Sequence, residues 1–424
     1  MSAPHNPLHD RIRGCIIGGA LGDAIGLFTE FFDAARAQRQ YGVNPRFKLL
    51  PPGPDGYQVM LMDQHRAGFE EAGWTDDTDQ SLLILMSFLH TGGKAEDGID
   101  YMDFARRLRH WVDYGFRPLG RLANDVGGTV RSVVQDTTFL EAPLECATKI
   151  WERGGRVMAA NGAVMRTSVI GALFSNDQEK LYRSAINVAA VTHADPRCLV
   201  SCTVASALVA SAVRNEIHSD EDVKRVVEGA IIPLTQHQPP LSDQYLQELR
   251  DIIWNDSLVD LKLDERRSIG YTYKCLASGI WALRQGIAAK GGTSITPSSV
   301  FERVITELTM AGGDSDTNCA VAGSLLGALF GYSNLPAGWL HDLKHRDWLL
   351  AKADAAVYLS TGEGAPYDLR KDPDNLVDGG KGAVSDEEFK RQWRVFDETV
   401  SQRIKGYEAD DGKKGGNWLK RVLG

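Results

Sequence analysis

At 424 residues and 43% hydrophobic content, the chain can bury one large core or two ordinary ones. A formal net charge of −9 excludes nucleic-acid binding through a broad basic face, which needs Lys and Arg clustered against phosphate. The N-terminal MSAPHNPLHDRIRG carries charge and proline where a secretory signal needs an unbroken apolar run, so we read no export signal and expect the cytosol or the nucleus.

In chain order, the first predicted helix carries a glycine ladder: Gly14, Gly18, Gly22 and Gly26 recur every four residues in GCIIGGALGDAIG. That spacing puts them on one helix face, where missing side chains let another backbone approach closely. The gain must outweigh roughly 1 kcal/mol of helix propensity lost per glycine. A membrane reading fails, because Asp23 interrupts the ladder and Arg13 and Glu30 flank it closely. A Pro51–Gly56 cluster marks a connection, and TDDTD then precedes the apolar helical segment Ser81–His90. Further helical segments are Leu199–Val213, Tyr271–Ala289 and Val300–Met310, with Gly291–Pro297 another connection. A second acidic cluster, GGDSDT, opens a small-residue helix with its own ladder at Gly323, Gly327 and Gly331.

Few stretches alternate as strands do, which favours a mostly α-helical domain over residues 8–340. Beyond it, residues 341–424 read as a polar C-terminal extension, partly helical, with a poorly ordered tail. A helix is expected around Asp386–Ile404, with Ser385 as N-cap and Glu388 three residues on. Six scattered cysteines without CxxC pairing suit reduced, buried thiols.

Chemistry concentrates in the two acidic clusters. One aspartate at a helix start caps free N–H groups and complements the dipole. Asp76, Asp77 and Asp79 exceed what capping needs, and adjacent carboxylates repel. With Asp314, Asp316 and Thr317, they offer carboxylate and hydroxyl oxygens suited to one or two hard cations such as magnesium, provided the clusters meet in space.

Five motifs in order, GCIIGGALGDAIGLFTEF, GWTDDTDQSLLI, NGAVMR, VTHADP and GGDSDTNCAVAGSLLGALFG, resemble the ADP-ribosylglycohydrolase family across roughly residues 11–340. The resemblance implies an all-α, compact orthogonal multi-helix bundle with a binuclear magnesium site, Mn2+ being a possible substitute. It implies that Thr75, Asp76 and Asp77 bind one ion, that Asp314 and Thr317 bind the other, and that Asp316 bridges both. Asp79 then orients the motif or caps the helix. Glu30 resembles an entrance glutamate, its ordinary alternative being a surface acid. Asn161 and Gly162 resemble a loop that meets the diphosphate and distal ribose, and Ser315 is implied as a further substrate contact. His193 resembles a substrate-contacting histidine, and Gly127 of DVGGT a substrate loop; a structural histidine and a plain turn are their alternatives. Met158, Ala159 and Ala160 depart from the small polar, aromatic and glycine residues that precede the asparagine in several relatives.

The implied activity is hydrolysis at C1″ of ADP-ribose, by a water activated by metal or carboxylate, with Asp76, Asp77, Asp316 and Glu30 as catalytic candidates. The leaving group (arginine, serine, acetate or phosphate) stays open. The implied partner is an ADP-ribose-containing substrate, with neither nucleic acid nor membrane expected. Competing readings are an inactive ADP-ribose-binding relative and a metal-dependent phosphohydrolase.

Overall fold

A computed structural model describes residues 6–51, 56–235, 237, 240–290 and 295–422, with side chains to 407 in the last helix. Parts of the predicted Pro51–Gly56 and Gly291–Pro297 connections, and the side chains of the glycine-rich tail, lie outside the described residues. In chain order the helices are α1 (Pro7–Gly26), α2 (Ala34–Tyr41), α3 (Asp76–His90), α4 (Tyr101–Tyr114), α5 (Gly128–Val134) and α6 (Pro143–Arg153). There follow α7 (Val164–Leu173), α8 (Gln178–Ala190), α9 (Pro196–Val213), α10 (Asp220–Ile231), α11 (Asp243–Ile253) and α12 (Leu258–Leu261). The chain ends with α13 (Thr272–Lys290), α14 (Pro297–Ala311), α15 (Ser315–Phe330), α16 (Ala337–Asp342), α17 (Arg346–Thr361) and α18 (Asp386–Val422). Among the described residues the only strands are Arg46–Phe47 and Tyr57–Gln58, paired parallel.

Helix starts follow local chemistry. Asn6 caps α1 ahead of Pro7, Asp195 caps α9 ahead of Pro196, and Thr296 caps α14 ahead of Pro297. Each predicted apolar segment falls within a helix: α3, α9, α13 and α14, apart from Tyr271, which immediately precedes α13. α9 has the length and hydropathy of a membrane span and is 94% buried in the core, which accounts for its composition. All six cysteines are free and buried.

The two glycine ladders meet. A Cβ at Gly14 would overlap the Gly327 carbonyl, one at Gly18 the Gly323 carbonyl, and one at Gly22 the Cys319 carbonyl. α1 and α15 are therefore in backbone contact along their length, an approach that any side chain would prevent. The seam ends at the acidic start of α15, where a Cβ on Gly26 would lie 2.5 Å from the Cα of Asp316.

The compositional shift near His341 does not coincide with a change in packing. α17 buries Leu349, Ala353, Ala356 and Val357, lies against α1, and is tied to it by Arg13 Nε to Asp354 Oδ1 at 2.5 Å. Ser385 caps α18 through the Glu388 N–H (3.2 Å), and the helix runs on to Val422, past the expected end near Ile404.

Candidate functional site at two acidic helix starts

The first turn of α3 is held from across the core. Asp23, on α1, accepts hydrogen bonds from the N–H groups of Thr75 (2.9 Å) and Thr78 (3.0 Å) and from the Thr78 hydroxyl (2.6 Å). An aspartate from another helix thus satisfies donors that Asp76 and Asp77 would otherwise be needed to satisfy. Burial pushes the Asp23 carboxyl up to about 6, and the hydrogen bonds from Thr78 and Thr75 offset part of that.

The α15 start is reached by a turn that only glycine accommodates. Gly312 and Gly313 have φ of 69° and 76°, and Cβ atoms there would overlap the carbonyls of Phe32 and Leu263. The turn pairs with the segment after α1: Phe31 N–H donates to the Gly313 carbonyl (2.7 Å) and Gly313 N–H to the Phe32 carbonyl (2.8 Å). This pairing sets Glu30 beside Asp314 and Asp316, so that one carboxylate oxygen of each lies within 4.8 Å of the others.

Glu30, Asp76, Asp77, Asp314, Asp316 and Thr317 line one cavity of about 190 Å³, together with Asn161, Gly162, His193, Gly270 and Gly127. Positions as far apart in sequence as 30 and 317 are therefore brought together. Two expected residues do not line the cavity. Ser315 is fully buried and does not line the cavity: its hydroxyl donates to the Gly26 carbonyl (2.8 Å) and accepts from Thr29 (3.1 Å), which fixes the α1–α15 approach. Thr75 adjoins it through Asp77, donating its hydroxyl to Asp77 Oδ2 (3.1 Å).

Electrostatically the cavity is an excess of acceptors. Asp77 Oδ1 and Asp316 Oδ1 are buried and have no hydrogen-bond partner among the described residues. Burial, then the neighbouring carboxylates, raises the Asp76, Asp77 and Asp316 carboxyls well above the usual range. Glu30 is pushed up to about 7 by burial, partly offset by a 2.6 Å bond from His65 Nε2. Asp314 Oδ2 accepts from the Asn161 amide (2.9 Å), and burial raises its carboxyl as well. Such a set is stable when a cation supplies the missing positive charge, and every donor atom it presents is a carboxylate or hydroxyl oxygen.

A buried donor stands behind Asp76 and His193. Arg166, wholly buried on α7, donates to the Thr192 hydroxyl (2.8 Å), to the Val188 carbonyl (3.0 Å) and to Gln80 Oε1 (2.8 Å). Gln80 passes the link on by donating to Asp76 Oδ2 (2.8 Å). Thr192 Oγ1, which receives Arg166, also hydrogen-bonds His193 Nδ1 (2.8 Å) and so fixes the orientation of the ring. Among the described residues the buried Nε2 has no partner, and His193 lines the cavity. Burial, then the Arg166 charge, lowers His193 to about 3, so the ring is neutral.

Asp79 points elsewhere. It accepts from the indoles of Trp74 and Trp111 (3.0 Å each) and from Arg121, so its carboxylate is fully engaged in supporting the start of α3. Sequence reasoning did not select Asp23, Gln80, Arg166, His65 or Asp125. Asp23 and Arg166 had a visible signal, a charge inside an otherwise small and apolar helix; His65 had none.

A sequence model of the ADP-ribosylglycohydrolase family matches residues 4–366. The ADP-ribosylarginine hydrolase Tri1 of Serratia proteamaculans is 24% identical over 362 residues, covering 85% of this chain and 82% of that one. The ADP-ribosylhydrolase ARH3 of Homo sapiens is 22% identical over 342 residues, covering 78% and 88%. A solved structure titled ADP-ribosylglycohydrolase-related protein complex shares the fold, with a TM-score of 0.54 at 23% identity over 84% of this chain and 99% of that one. Two acidic helix starts joined by a glycine seam, in a helical chain matched by that model over most of its length, place this protein in the ADP-ribosylglycohydrolase family.

Proposed function

We propose that the protein is a magnesium-dependent hydrolase that cleaves the C1″ bond of ADP-ribose from an acceptor, either a protein side chain or a small leaving group. The observation that carries this reading is the pair of orphaned, buried oxygens, Asp77 Oδ1 and Asp316 Oδ1, at one oxygen-lined cavity. Thr75, Asp76 and Asp77 would hold one ion, Asp314 and Thr317 the other, and Asp316 both; Mn2+ would substitute. When bound, the ions supply Lewis acidity that orients ribose hydroxyls and lowers the pKa of water.

The chain's own groups account for the rest. Cleavage at C1″ develops positive charge on the ribose, which a ring of carboxylates stabilises. His193 brings a neutral ring to the cavity, which Asn161 and Gly162 also line. We assign these three residues to the distal ribose and its adjoining phosphate. Glu30, bonded to His65 and held near neutrality, can accept or return a proton close to physiological pH. A cavity of about 190 Å³ is smaller than a site for a whole dinucleotide-sized ligand and suits the reacting sugar, the remainder lying outside.

The test is a panel of ADP-ribosylated arginine, serine, acetate and phosphate, assayed with magnesium and after chelation in water carrying a heavy oxygen isotope. Magnesium-dependent turnover with the label in ribose is expected. Label in phosphate would identify a phosphohydrolase, and undiminished activity after chelation would refute the metal requirement.

A further inference from the structure

Glu30 sits on a segment that is gripped twice. One grip is the glycine turn before α15, through Phe31 N–H to the Gly313 carbonyl and Gly313 N–H to the Phe32 carbonyl. The other comes from residues 63–66, and it takes the glutamate by side chain and main chain at once. His65 Nε2 hydrogen-bonds the Glu30 carboxylate at 2.6 Å. The next residue, Arg66, donates from Nη2 to the Glu30 carbonyl (2.7 Å) and from Nε to the Phe28 carbonyl (3.1 Å). Arg66 is 1% exposed, its charge is met by Asp63 Oδ2 (2.7 Å), and its guanidinium lies 4.3 Å from the centre of the Phe32 ring. Asp63 also accepts from the Arg66 N–H (3.0 Å), which fixes the turn that carries both residues. The His65 ring in turn lies against Phe31 and Phe69, at 5.1 and 5.4 Å between ring centres.

The backbone between these grips is strained. Phe31 has a φ of 60°, a left-handed conformation that a bulky residue avoids. Such strain persists only where the surroundings over-determine it, and here the Glu30 carbonyl, the Phe31 N–H and the Phe32 carbonyl are each bonded to another part of the chain. The reason for holding Glu30 so firmly is electrostatic. It is buried beside Asp314 and Asp316, where like charge would push a free carboxylate away. His65 itself does not line the acidic cavity; with Asp125 it lines a separate space of about 460 Å³. We propose that residues 63–66 are the positioning device for Glu30: Arg66 sets its main chain, and His65 holds its carboxylate in place against the two aspartates. His65 is thereby a positioning residue that acts on turnover only through Glu30. This role rests on the hydrolase reading, in which Glu30 exchanges a proton, and adds to it the part of the chain that keeps that glutamate in place.

The full-length chain is tested with His65→Ala, which releases the carboxylate and leaves Arg66 in place. On the ADP-ribosylated substrate that the unaltered protein turns over fastest, kcat should fall by about 30-fold while KM stays within about threefold. Glu30→Gln should lower kcat at least as far, and His65→Ala added to it should cost less than about a further twofold, because the one residue acts through the other. His65→Gln keeps a hydrogen-bonding group at that place and should recover about tenfold of the loss. Imidazole supplied to His65→Ala, which the 460 Å³ space can admit, should do the same. An undiminished kcat in His65→Ala, or losses that multiply in the double variant, overturn the positioning role. A loss that neither glutamine nor imidazole repairs marks His65 as a packing residue and overturns it as well. Absence of turnover on every substrate by the unaltered protein overturns the hydrolase reading itself, and this inference with it.

Discussion

The first turn of α3 and the tryptophan that precedes it adjoin two carboxylate clusters of opposite character. On one side Asp76 and Asp77 join Glu30, Asp314 and Asp316, where burial and like charge raise the carboxyls and two oxygens have no partner. On the other, Asp79 and Glu70 share Arg121, and Trp74, Trp111, Lys344 and His345 complete the set of donors. Both clusters are acidic and only residues apart in sequence, so charge alone does not distinguish a site from a support. The difference is whether the chain itself provides the counter-charge. Where it does, the carboxylates are structural; where it does not, the uncompensated carboxylates are the chemical property of the site.

The largest effect is expected from removing a charge on the unpaired side. Asp77→Asn and Asp316→Asn should each lower kcat/KM by about 10³-fold, or about 4 kcal/mol of transition-state stabilisation. In the metal-free protein the same changes relieve buried like-charge repulsion, so the melting temperature should rise or hold steady. A fall in that temperature, or full activity in either variant, would show that these oxygens are already satisfied and would erase the contrast.

Next is the seam that brings the two helix starts together. Gly22→Ala places a methyl against the Cys319 carbonyl, where two backbones touch and neither can move alone. A loss of about 3 kcal/mol in stability is expected, read by denaturant unfolding, with weaker metal binding by calorimetry because α15 shifts relative to α3. Asp79→Asn should cost less, about 2 kcal/mol, by weakening the bonds from Arg121 and the indoles. Its kcat should stay within about threefold, since the side chain does not reach the cavity. A thousandfold loss of turnover there would move Asp79 into the site.

These contrasts mark where sequence reasoning succeeds. The ladders at Gly14–Gly26 and Gly323–Gly331 were legible because period four and missing side chains have one economical explanation, close helix crossing. The two acidic clusters were legible because they exceed what capping needs. The role of Asp23 was not, because an acid at position 23 reaches the N–H groups of positions 75 and 78 only after α1 crosses the start of α3. Ser315 looked like a contact by its place in GGDSDT, yet the helical turn directs its hydroxyl to the Gly26 carbonyl. The relay from Arg166 through Thr192 to His193 depends on residues of α7 and of the turn after α8, a coincidence in space that no spacing announces. Likewise, the polar composition after His341 concealed α17, whose buried residues Leu349, Ala353, Ala356 and Val357 complete a core shared with α1 and α3.

The smallest effect sharpens the paired side. Burial pushes the Glu70 carboxyl up, but hydrogen bonds from His345 and Lys344 and the Arg121 charge outweigh it and hold the group at about 2. The folded value lies below the unfolded one, near 4.3 for glutamate, so the unfolded chain binds the proton first as pH falls. The stability that Glu70 contributes is therefore complete above about pH 4.3 and is lost as pH falls through about 2. Other carboxylates titrate over the same range, so the informative quantity is a difference. The gap in melting temperature between the unaltered protein and Glu70→Gln should be widest near neutral pH and should close between about pH 4.3 and 2. A gap that stays constant across this window would mean that Glu70 acts by its shape alone. Arg121 would then be held by Asp79, and the paired cluster would be one carboxylate rather than two.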